Sequence, residues 1–96
     1  MARTLEADIL VPTLKALARH GRMNAAARLS HLRTVMALSP EDEQVGEGGE
    51  TRFARTVRDQ VLNRHEVGNI VAEGYATYHI GVGLCITDKG RKLISR

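Results

Sequence analysis

Three aromatic side chains, Phe53, Tyr75 and Tyr78, are all this chain offers for filling an interior, and tryptophan is absent. A core must then come from Leu, Val, Ile, Ala and Met. Such residues interdigitate well between close-packed helices and give a large sheet little to bury. Within 96 residues there is room for one such core, so a single domain over residues 1–96, of modest stability, is expected. The same shortage argues against a reader of single-stranded nucleic acid, which stacks bases on aromatic platforms.

Hydrophobic spacing supplies the helices. Leu10, Leu14 and Leu17 form one stripe, and Gly21 after Arg19 and His20 marks a C-terminal stop. Pro12 belongs in the first turns of this helix or kinks it. Leu5 and Ile9 lie off the stripe, which fits a second buried surface such as a dimer contact, or a wider apolar face. Asn24 can cap a second helix with the stripe Ala25, Leu29, Leu32 and Met36. Ser39-Pro40-Glu41-Asp42 then carries an N-cap, a helix-starting proline and two acids, predicting a short extra turn. Val45 to Glu50 reads as a flexible linker; Glu47 and Glu50 would repel phosphate, so it is not a nucleotide loop.

Thr51 can cap a third helix running to about His65. Phe53, Val57 and Val61, with Ala54 beside them, form its apolar stripe; Arg52, Arg55, Thr56, Asp59 and Asn63 share the opposite face, flanked by Arg58 and Arg64. After Gly68 the pattern turns extended: Val71, Tyr75, Tyr78 and Ile80, a turn at Gly81-Val82-Gly83, and a returning strand at Leu84-Cys85-Ile86. Thr87 or Asp88 caps a last short helix bearing Leu93 and Ile94. The expected class is mainly α (α+β), with three to four helices, a C-terminal β-hairpin and a short last helix.

Charge is segregated along the chain. The net charge is +3, yet residues 1–38 carry +4, residues 39–50 carry −5 and residues 51–65 carry +3. A polyanion binder segregates charge in this way, although solvated faces do so too. Cys85 is the only cysteine, which leaves no internal disulfide and points to the reducing cytoplasm. No stretch approaches the roughly 18 apolar residues of a membrane span, and Met1 to Glu6 lacks the pattern of a signal peptide.

The element order resembles the winged helix-turn-helix domain. The tail Gly83-Leu84-Cys85-Ile86-Thr87-Asp88-Lys89-Gly90-Arg91-Lys92-Leu93 is similar to the strand, Ile/Leu-Thr-x-x-Gly-x-x-x-Leu ending of many such proteins. There the Thr caps the last helix, the Gly seats a close backbone contact and the Leu closes the core. More closely, the chain resembles the N-terminal domain of Mrr-type restriction endonucleases. The matching segments are Leu10-Val11-Pro12-Thr13-Leu14-Lys15-Ala16-Leu17, Leu38-Ser39-Pro40-Glu41 and Arg52 to Val61. The family's Trp-Ala pair in the third helix is absent, and the turn Ile80-Gly81-Val82-Gly83 lacks the basic residues of a family wing tip. No nuclease domain accompanies these segments, so the resemblance carries no endonuclease activity.

The resemblance implies a binding module for double-stranded DNA, acting as a small transcriptional regulator or as the recognition module of a restriction-type system. Its third helix would enter the major groove. Arg52, Arg55, Thr56, Asp59 and Asn63 would address bases, and Arg58 and Arg64 phosphates. His79 near the wing and Lys89, with Arg91, Lys92 and Arg96 on the last helix, are further phosphate candidates, although basic residues there also suit the helix dipole. The plain alternative for the third helix is a solvated face with an Arg55–Asp59 pair. A homodimer through the first helix is a secondary expectation, and the rival class is a protein-interaction winged helix that leaves DNA alone. His20, His31, His65 and His79 are too dispersed for a metal site, and Cys85 reads as a small buried thiol. No cofactor, small-molecule substrate or catalytic constellation is expected.

Overall fold

The computed structural model describes residues 4–95. It is a compact α+β fold of four helices and one antiparallel hairpin: α1 (Glu6–His20), α2 (Ala25–Val35), α3 (Arg52–Leu62), β1 (Ala76–His79), β2 (Gly83–Ile86) and α4 (Asp88–Ile94). Helix α1 is central, because its apolar surface is wider than one stripe. Leu14 and Leu17 face Met23, Ile70, Ala76 and Leu84. Ile9 instead joins Leu32, Phe53 and Val57 in a second cluster between α1, α2 and α3. Ile9 therefore serves a wider apolar face within the molecule, while Leu5 and Val11 remain exposed. Pro12 is the seventh residue of α1, and the helix runs on to His20, capped by Gly21, whose N–H donates to the Leu17 carbonyl.

Side-chain caps appear where local chemistry predicts them. The N–H of Ala27 donates to Asn24 Oδ1, that of Ala54 to Thr51 Oγ1 and that of Gly90 to Thr87 Oγ1. The Ser39 segment forms a turn with Asp42 buried in it. One oxygen of that carboxylate accepts from the Thr4 N–H (2.6 Å), and the other from Thr4 Oγ1 (2.9 Å) and the Ser39 N–H (2.9 Å). Burial raises the Asp42 pKa, but these bonds outweigh it and hold the carboxyl below its ordinary value.

Several expectations need correction. In α2, Ala25 is exposed and Arg28 takes the buried place beside Leu32. Residues 45–50 form a closed turn, with the Gly46 N–H donating to the Glu50 carbonyl and Val45 bridging Thr51. Helix α3 ends at Leu62, three residues early. Its last-turn carbonyls are taken by side chains: Asn69 donates to Gln60 O and Arg64 to Val61 O. Gln60 is fully buried where Val61 was expected, donating to Thr13 Oγ1 at 3.0 Å. Val71 and Ile80 lie in turns rather than strand, because Asn69 Oδ1 accepts the Val71 N–H and the hairpin turn starts at Ile80. Cys85 is half-buried, not buried.

The hairpin is anchored from a place that periodicity does not reveal. Met23, between α1 and α2, pairs with Leu84 through reciprocal backbone bonds of 3.1 and 3.0 Å, so β2 is flanked by β1 and by this bridge. Gly83 makes the approach possible: its φ is +116°, and a Cβ there would lie 2.2 Å from the Met23 carbonyl oxygen. Gly90 plays the same part under α4, where a Cβ would lie 2.2 Å from the Tyr75 carbonyl oxygen. No helix among the described residues is long and apolar enough to cross a membrane.

Candidate nucleic-acid interface

Helix α3 owes its orientation to a buried edge and a plugged start. Phe53, Val57 and Gln60 are buried, and Arg52, Arg55, Arg58 and Leu62 are exposed. Its first free N–H groups are already satisfied: Arg52 donates to the Gln44 carbonyl, Phe53 to the Asp42 carbonyl, and Ala54 to Thr51 Oγ1. The positive end of this helix is thus closed to a phosphate. Helix α2 differs, since Asn24 caps only the Ala27 N–H and no intrahelical carbonyl can serve Ala25 or Ala26.

Two grooves run along α3. On one side, Arg52, Arg55, Thr56 and Asp59 face the Thr4–Glu6 segment and the turn of residues 46–50 across a groove of about 660 Å³. Carboxylates of Glu6, Glu47, Glu50 and Asp59 border it against only two arginines, so this side is acidic on balance. On the other side, Arg58, Val61 and Leu62 face the hairpin turn Gly81-Val82-Gly83 and the start of α2 across a cleft of about 290 Å³. Among the described residues, Arg28 and Arg58 line this cleft and no carboxylate does.

The expected contact residues therefore separate. Arg52 pairs with Glu41 at 3.3 Å and Arg58 with Glu50 at 3.2 Å, both well exposed to solvent. Such pairs contribute about 0–1 kcal/mol and exchange readily for another anion. Arg55 forms no salt bridge among the described residues, so the Arg55–Asp59 pair is not made. Thr56 turns its hydroxyl back to the Arg52 carbonyl at 3.0 Å. Asn63, at the end of α3, donates to Glu6 Oε2 at 3.0 Å, which ties it to α1 instead of leaving its amide free for a base edge. Arg64 is half-buried, 5.0 Å from the Tyr78 ring centroid, and joins α3 to the hairpin.

The remaining candidates lie on the hairpin and α4. His79 is exposed at the end of β1, with Nε2 3.0 Å from Thr77 Oγ1. Lys89 is engaged elsewhere: its Nζ donates to the Glu73 carbonyl at 2.6 Å and sits over the Tyr75 ring. Arg91 and Lys92 are exposed on α4, and Arg96 lies outside the described residues.

Periodicity missed Arg28. It is only 1% exposed, and its guanidinium donates to the Met23 carbonyl (3.0 Å) and, at 3.5 Å, to the Val57 carbonyl. Burial lowers its pKa to about 10, with neighbouring Tyr78 opposing, so it stays charged at neutral pH. One signal was visible: Arg28 stands four residues before Leu32, on the buried side of α2. Among the described residues no three of His, Cys, Asp and Glu gather closely enough to hold a metal ion. No protein-family model, curated protein or solved structure matches this chain.

Proposed function

We propose that the chain is a winged helix-turn-helix domain that binds duplex DNA and performs no chemistry of its own. Helix α3 acts as the recognition helix and the β1–β2 hairpin as the wing. The order of helices, the hairpin and the Met23–Leu84 bridge, which adds a third short edge to β2, supports this reading. The observation that carries it is the cleft beside α3: Arg58 and the hairpin turn border it together, and no acid does. Arg55, exposed and without a salt bridge among the described residues, reads a base edge, a role suited to guanine O6 and N7. Arg58 exchanges Glu50 for a phosphate, and the open start of α2 receives a second one. Arg52 contributes less, because Glu41 holds its guanidinium at 3.3 Å, whereas Arg55 in the same groove forms no salt bridge among the described residues. A second copy is the natural partner on a two-fold site, with Leu5 and Val11 offering exposed apolar surface on α1. A small regulator and the recognition module of a restriction-type system both fit this mechanism.

The rival reading is a protein-interaction winged helix. It is favoured by the acidic groove of α3 and by an apolar hairpin tip, where Ile80 is 87% exposed. Fluorescence-anisotropy titration with a mixed-sequence duplex separates the two. Neutralising about three to six phosphates gives a log–log salt slope of roughly −3 to −5. Absent or salt-independent binding supports the rival.

A further inference from the structure

We propose that the cleft between α3 and the β1–β2 turn binds a small organic anion, an acid group joined to a one-ring or branched apolar body. The cationic and apolar lining of the cleft fits that chemistry. Its floor is Arg28, a buried cation without a carboxylate partner: two of its N–H groups reach carbonyls, one of them only at 3.5 Å, and Nε has no acceptor among the described residues. Nε is closed off from solvent, so an acid oxygen would reach it only as the guanidinium gives up its long contact to Val57. The start of α2 adds the N–H group of Ala25, which no intrahelical carbonyl serves, and Arg58, paired with Glu50 at 3.2 Å, also lines the cleft.

The walls give the second half of the ligand. Val61, Leu62, Tyr78 and Val82 are apolar surfaces that would be wasted on inorganic phosphate. At about 290 Å³ the cleft sits at the small end of ligand pockets, which suits one ring rather than a nucleotide. The occupant would bridge α3 and the hairpin turn. The site rests on the geometry of the cleft alone, and because Arg58 and the start of α2 are also the phosphate contacts proposed above, its occupant would compete with duplex DNA.

The test is an amide ¹H–¹⁵N titration of the full chain with sodium benzoate, run beside benzamide and inorganic phosphate and without DNA. Benzoate is expected to shift the Ala25, Ala26, Leu62, Tyr78 and Val82 amides saturably, with benzamide and phosphate far weaker. Leu62→Glu places a carboxylate at an exposed position on the cleft wall; its dispersed spectrum should persist while benzoate binds about tenfold more weakly. Equal responses to benzamide remove the role of charge, and equal responses to phosphate remove the role of the walls; either overturns the site. Unsaturated shifts scattered over surface arginines and lysines, or undiminished binding to Leu62→Glu, overturn it as well.

Discussion

Replacing Asp42 with Asn tests whether the turn before α3 sets that helix in place. The carboxylate ties Thr4, at the entry to α1, to Ser39, and the Asp42 carbonyl takes the Phe53 N–H of α3. Asparagine keeps one acceptor oxygen and turns an amide NH₂ toward groups that are themselves donors. Either the Thr4 N–H or the Ser39 N–H then loses its partner. Charge-assisted hydrogen bonds contribute about 1.5–3 kcal/mol, and an orphaned buried donor costs about 1–3 kcal/mol. The expected loss at pH 7 is about 2–4 kcal/mol, or roughly 10–25 °C in Tm for a domain this size. The pH dependence has a definite sign. The folded-state pKa is depressed, so the Asp42 contribution is fully present above the unfolded carboxylate pKa and is lost as pH falls through the folded value. Thermal unfolding by circular dichroism should therefore show a gap between wild type and variant at pH 7 that narrows steadily below about pH 4. A gap under 0.5 kcal/mol at pH 7, or one that widens in acid, would refute the reasoning.

Three further outcomes follow from the same geometry. Gly83→Ala drives a Cβ against the Met23 carbonyl at positive φ, and should cost about 2–4 kcal/mol by denaturant unfolding; a change below 1 kcal/mol contradicts the Met23–Leu84 bridge. Glu50→Gln removes the Arg58 partner at little cost in stability, and should tighten duplex binding about two- to fourfold at low salt; weaker binding would mean that Glu50 positions Arg58 rather than shields it. Lys89→Ala should leave duplex affinity within experimental error, because its ammonium is committed to Glu73 and Tyr75; a clear loss would place α4 on the DNA side.

What the sequence made legible was local. Asn24, Thr51 and Thr87 each announce a helix start through their own side chains, and the caps form as expected. Gly90 was readable as a close backbone contact, and Phe53 and Val57 as an anchor. The rest depends on residues far apart in the chain. Glu6 gathers Asn63 and Asn69 from 57 and 63 residues away, which shortens α3 and withdraws Asn63 from its open face. The Arg52–Glu41 and Arg58–Glu50 pairs were hidden in two charge blocks that looked separate. Arg28 defied the helical stripe because carbonyls of Met23 and Val57, brought near only by folding, make its burial tolerable.

The most direct measurement is duplex affinity of an Arg55→Ala/Arg58→Ala variant, beside an Arg19→Ala control on the exposed end of α1. If α3 faces the groove, the double variant binds at least about tenfold more weakly and its salt slope is shallower by about 1, for the one phosphate that Arg58 neutralises, while the control matches wild type. Equal affinity and slope for all three proteins would contradict α3 as the recognition helix.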